Sequence, residues 1–194
     1  MKLFVKGNKK NQTKGEKGLL YKYERESKII TDKINICILN ILKKVKGVTM
    51  MINENMIALK ESCKTPEEAV IRAGELLLKN GNVTQNYVDA MVKSYKVNGA
   101  YIVIAPRFAM PHARPEEGVL RAGFSILTLK EGVNFGSAEN DPVDLIIGLA
   151  ANNSNEHVEV IQKITEIFSD KEKRETIFNA ENKEEIMNLF KEEQ

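Results

Sequence analysis

From residue 51 onward the sequence predicts an α/β fold, a single domain in which helices pack on a mostly buried sheet. Three observations carry that reading. Apolar runs with β-branched residues recur at 100–105, 122–129 and 143–150. Between and beyond them, apolar residues fall at helical spacing. Cap residues followed three positions later by glutamate mark where helices begin. The chain has 194 residues, of which 42% are hydrophobic, enough for one domain with a proper core.

The elements follow in order. MIAL (56–59) is a brief apolar run that predicts an opening strand. Thr65-Pro66-Glu67-Glu68 is a capping box: Thr65 accepts from a free backbone N–H, Pro66 suits the first helical position and Glu68 reaches back. Ala69, Val70, Ala73, Leu76 and Leu77 form the buried stripe, and Asn80-Gly81 stops the helix. Thr84 caps a second helix with Val88, Met91, Val92 and Tyr95 on one face, ended by Gly99. AYIVIA (100–105) predicts a strand covered on both faces. AGFSILTL (122–129) and VDLIIGLA (143–150) predict two more, joined by a turn-rich connection. Ser154-Asn155 opens a helix over 156–168, with His157, Val160, Ile161, Ile164, Ile167 and Phe168 on one stripe. Ser169 with Glu172 and Asn182 with Glu185 predict two further capped helices.

Residues 1–50 differ in composition. They hold 13 Lys and Arg against 4 Asp and Glu, whereas the rest of the chain holds 16 against 23. A basic arm of this kind suits a nucleic-acid or membrane contact. VKGNKKNQTKGEKG, however, has the composition of disorder and lacks the interleaved aromatics of single-strand binders, so no nucleic acid is expected. Residues 28–45 carry the pattern of a short amphipathic helix. One reading is that translation begins at Met50 or Met51. No apolar run approaches the roughly 20 residues of a membrane helix, and no secretory leader pattern opens the chain. Cys37 and Cys63 lack metal spacing and fit reduced thiols, which points to a cytoplasmic protein.

The chain has two histidines. His112 lies in FAMPHARPEEG (108–118), between Pro111 and Pro115, each of which fixes its own φ and biases the residue before it. A stiff loop loses less entropy in holding one geometry. His157 stands at the front of a helix, shortly after a strand. Both rings therefore fall at strand exits, where open α/β sheets bind ligands. Imidazole, with a pKa of about 6.5, keeps a lone pair for attack near neutral pH and forms a labile phosphoramidate. These properties suit reversible phosphoryl transfer, with His112 as nucleophile. His157 and the helix start beside it can offer hydrogen bonds and a positive dipole end to the phosphoryl oxygens. Arg114 suits phosphate oxygens or an acidic partner; alone, such an arginine more often pairs with a neighbour such as Glu116 or Glu117. Other chemistries lack their signatures: there is no HExxH, no P-loop and no GxSxG elbow. Asp141, Asp144 and Glu156 are candidate acids or orienting groups; residues of this kind are more often solvated loop and helix-end charges.

MPHARPEEGV (110–119), TLKEGVNFGSAENDPVDLIIGLAA (128–151) and NEHVEVIQKITEIF (155–168) together resemble the mannitol/fructose-type enzyme IIA domains of the bacterial sugar phosphotransferase system. The ascorbate-type branch fits best, through its PHARPE loop and N-D-P-V strand entry. The likeness covers roughly residues 52–192, with residues 51–194 as the phosphocarrier domain. It implies a central mixed β-sheet flanked by helices on both sides. It implies that phosphorylated HPr donates to His112 Nε2 and that the group passes to a cysteine of an enzyme IIB and on to a sugar entering through a membrane enzyme IIC. His157 matches the family's second, phosphate-stabilising histidine, and Arg114 matches the ascorbate-type loop. No cofactor, nucleotide or metal is implied in the transfer. The sugar itself is not read by this domain. A regulatory module, whose phosphorylation state a partner reads, is the alternative of another class.

Overall fold

A computed structural model describes residues 51–190; the readings made for residues 1–50 lie outside the described residues. After a 3-10 turn at Glu54–Met56, β1 spans Ile57–Glu61. Helix α1 (Pro66–Lys79) begins at Thr65, whose hydroxyl accepts from Glu68 N at 3.2 Å. Glu68 reaches back one residue further than expected, its carboxylate accepting from Lys64 N at 2.7 Å. The expected stripe is buried, with Ala69, Val70, Ala73 and Leu77 wholly inside. Helix α2 (Gln85–Asn98) starts after Thr84, although that hydroxyl makes no cap bond. Its buried residues are Tyr87, Val88 and Met91, and Val92 and Tyr95 are half-buried.

The stretch 100–105 departs from expectation. It is not a strand covered on both faces: Gly99–Ile102 is a 3-10 turn, and β2 is only Val103–Ala105. The chain then reverses through Arg107, at φ 67°, into a two-residue strand, β3 (Phe108–Ala109). The reversal makes β2 an outermost strand, and Ile104 is left 51% exposed.

Strands β4 (Gly123–Val133) and β5 (Val143–Ala150) complete a five-stranded sheet, in the order β1-β4-β5-β3-β2. β1 is parallel to β4, β4 antiparallel to β5, β3 parallel to β5 and β2 antiparallel to β3, so the sheet is mixed. Helices lie on both faces. Adjacent strand residues point to opposite sides: Ser125 donates to Ala73 O of α1 at 2.8 Å, while Phe124 meets the Phe190 ring at 5.1 Å. The closeness of α1 explains Gly148, which pairs with Ser125 across the strands. A Cβ there would stand 2.6 Å from Ser125 Oγ and 3.2 Å from Ala73 O. The central strands are buried over Gly123–Leu129 and Leu145–Ala150, and burying each large aliphatic side chain such as Ile126, Leu127, Leu145 or Ile147 contributes about 1.5–3 kcal/mol.

Three helices close the described chain: α3 (Ser154–Ser169), α4 (Lys171–Asn179) and α5 (Lys183–Leu189). Asn153 and Asn182 cap α3 and α5, each accepting from the glutamate N–H three residues on. The cap of α4 is Asp170 and not Ser169, because the Asp170 carboxylate accepts from both Glu172 N and Lys173 N. Phe168 of α3 stacks on Phe108 of β3 at 4.4 Å. Among the described residues no helix is long and apolar enough to cross a membrane.

Candidate active site at two strand exits

β3 and β5 run side by side and parallel, with Phe108 opposite Leu145 and Ala109 opposite Ile146. Their carboxyl ends therefore open at the same edge of the sheet. The proline-flanked loop leaves β3 there, and the chain leaving β5 enters α3. His112 and His157 are carried by these two exits, and their ring centroids lie 5.6 Å apart, inclined at 61°.

The loop is held by its backbone. Met110 N donates to Ile102 O at 2.8 Å, and Pro111 O accepts from Leu149 N at 3.1 Å. Beyond the histidine, Pro115–Glu117 forms a 3-10 turn and Gly118 takes φ 127°, its carbonyl accepting from Thr84 N at 2.9 Å. The His112 ring is fixed as well, with Nδ1 2.9 Å from Met110 O. A carbonyl oxygen can only accept, so Nδ1 is the protonated nitrogen and the neutral ring carries its lone pair on Nε2.

His157 is half-buried in the first turn of α3. Burial, and then the nearby His112, hold its pKa below the usual imidazole value. Both rings line one cleft of about 1070 Å³, together with Arg114, Lys93 and the Asn153–Ser154 start of α3. Arg114 is exposed, and among the described residues it forms no ion pair with Glu116 or Glu117. The other acids have structural partners instead of lying free in solvent. The Asp141 carboxylate accepts from Phe135, Gly136 and Ser137 N–H groups, Asp144 pairs with Arg107, and Glu156 accepts from Asn152. No group of three or more His, Cys, Asp or Glu able to hold a metal occurs among the described residues.

Two tyrosines belong to this site that the sequence reading did not single out for it. Tyr101 stands 6.1 Å from the His112 ring, centroid to centroid, on the cleft wall. Tyr87, 1% exposed, sends its hydroxyl up beneath the loop, accepting from Ala113 N at 3.1 Å and donating to Leu149 O at 2.7 Å. Burial pushes its pKa up to about 12, so it stays a phenol. The signal that could have found it is its place four residues before Met91, on the buried face of α2: a buried phenol needs a partner.

The fold is that of a phosphotransferase-system component. A family model described as "Phosphoenolpyruvate-dependent sugar phosphotransferase system, EIIA 2" matches residues 50–193, and the chain belongs to this family of phosphoryl-transferring components. It is 40% identical over 135 residues to the ascorbate-specific PTS system EIIA component of Escherichia coli (strain K12), a match covering 69% of this chain and 88% of that protein. The solution structure of the mannitol-specific cryptic phosphotransferase enzyme IIA CmtB from E. coli is similar at TM-score 0.67 and 32% identity, over 75% of this chain and 98% of that one. Enzyme IIA of mannitol from E. coli, solved in complex with phosphorylated enzyme IIB, is similar at TM-score 0.63 and 32% identity, over 72% and 96%.

Proposed function

We propose that this phosphocarrier accepts a phosphoryl group from phospho-HPr on His112 Nε2 and passes it to a cysteine of a cognate enzyme IIB. The group then drives uptake of a sugar, of the ascorbate type, through a membrane enzyme IIC. The observation that carries the reading is the bond between His112 Nδ1 and Met110 O, which leaves Nε2 as the nucleophile of a ring facing the cleft. The similarity to ascorbate-specific relatives supports the choice of sugar, and the related structure with phosphorylated enzyme IIB supports that partner.

The chemistry asks mainly for positioning and charge compensation. The Nε2 lone pair attacks phosphorus. A new N–P bond forms at His112 while the N–P bond on HPr breaks, and its electron pair stays with the HPr ring. Nδ1 keeps its proton and its hold on Met110 O, so the ring does not turn during the exchange. In the second transfer a thiolate of enzyme IIB attacks phosphorus, and the His112–phosphorus electron pair returns to Nε2. His157, the Arg114 guanidinium and the first N–H groups of α3 stabilise the phosphoryl oxygens while the group resides on His112. Nothing in this sequence of steps calls on a nucleotide or a metal.

The test is incubation with phosphoenolpyruvate, enzyme I and HPr. The wild type takes up one acid-labile phosphate, and His112→Ala takes up none. Full labelling of His112→Ala contradicts the reading.

A further inference from the structure

The two imidazoles come from segments 45 residues apart in the chain, and one buried oxygen touches the backbone of both. Tyr87 Oη accepts from Ala113 N at 3.1 Å, the residue after His112. It donates to Leu149 O at 2.7 Å, near the end of β5, whose exit leads to α3 and His157. Ala113 O, at 3.2 Å, is a second and longer acceptor for the same proton. The hydroxyl has one proton and two lone pairs, so it satisfies a donor on one segment and an acceptor on the other. A backbone–backbone bond, Leu149 N to Pro111 O at 3.1 Å, also runs directly between them.

We propose that Tyr87 is a positioning residue for phosphoryl transfer, its hydroxyl setting the separation of the two imidazoles by tying the His112 loop to the end of β5. The inference rests on the reading of His112 as the phosphoryl acceptor. Tyr87 borders the cleft but is only 1% exposed, and its hydroxyl is taken up by Ala113 and Leu149. In-line transfer is sensitive to placement, and a shift of 1 Å in a reacting group can cost about a hundredfold in rate. The aromatic ring alone would fill the core. The hydroxyl is the part that the packing does not explain.

Tyr87→Phe separates the two roles, because it keeps the ring and removes the oxygen. Tyr95→Phe is the control: Tyr95 lies on the same helix and donates to Phe135 O at 3.1 Å, outside the cleft. Single-turnover labelling by phospho-HPr is measured for both variants and the wild type. For Tyr87→Phe the rate at saturating phospho-HPr falls about tenfold or more, while the half-saturating concentration stays within about twofold. For Tyr95→Phe both stay at the wild-type values. A Tyr87→Phe rate equal to wild type overturns the proposal, and so does an equal loss in both variants, which would reduce Tyr87 to general support of the fold. An unlabelled wild type would instead reject the function of His112 itself. Amide hydrogen exchange of the wild type gives a reading that needs no variant: Ala113 N–H is protected well beyond its loop neighbours Arg114 and Glu116. Exchange of Ala113 at the rate of a free loop amide also overturns the proposal.

Discussion

His157 and His112 lie with their ring centroids 5.6 Å apart and their planes inclined at 61°. At that distance the protonation of one ring bears on the other. Burial, and then His112, disfavour the protonated form of His157 in the free protein. A phosphoryl group on His112, as proposed, would oppose that effect, since a dianion at this range favours the imidazolium.

The pH dependence of His157 follows in two parts. Its folded pKa lies below the unfolded value of about 6.5, so the unfolded chain binds a proton first as pH falls. Stability is therefore full above that value and declines as pH drops through it towards the folded pKa. Urea unfolding midpoints taken from pH 7.5 down to 5 should fall, and His157→Gln should flatten that decline. On phosphorylation the NMR titration of His157 should move to higher pH. No movement would separate the two rings electrostatically.

Arg114 is exposed and among the described residues has no carboxylate partner, so its loss has little to disturb in the fold. Arg114→Gln is expected to change the unfolding free energy by less than about 0.5 kcal/mol. The same variant should accept the phosphoryl group at least several-fold more slowly. Arg114→Lys should restore only part of the rate, because a point charge replaces a planar fork. Labelling time courses check both; unchanged rates in Arg114→Gln would remove this residue from the phosphate site.

Gly118 closes the histidine loop at φ 127°, and a Cβ there would sit 2.0 Å from Thr84 Oγ1. Gly118→Ala meets both backbone strain and a clash, and should destabilise by about 1–3 kcal/mol. Adding Thr84→Gly relieves the contact but not the backbone. The double variant should therefore recover only part of the loss in thermal unfolding.

Much of this architecture was legible from residue patterns, and the exceptions have physical causes. β4 and β5 announced themselves by continuous apolar runs with β-branched residues, and the helices by period and cap residues. The continuous run at 100–105 imitated a buried strand because apolar character alone does not say which side of a run is covered. Half of it became a 3-10 turn, and Ile104 faces outward. β3 has two residues and hence no period to read, yet it delivers His112 to the site. The meeting of His112 with His157 depends on β3 pairing in parallel with β5, a contact no local pattern records. Tyr87 escaped notice for the same reason: its face was readable, but its partners Ala113 and Leu149 lie 26 and 62 residues away.

The most direct test uses protein with 15N-labelled histidine, phosphorylated through HPr and studied by NMR at alkaline pH, where the phosphoramidate survives. The account predicts the phosphorus–nitrogen coupling on Nε2 of His112, with Nδ1 still protonated. Coupling on Nδ1, or on either nitrogen of His157, would contradict it.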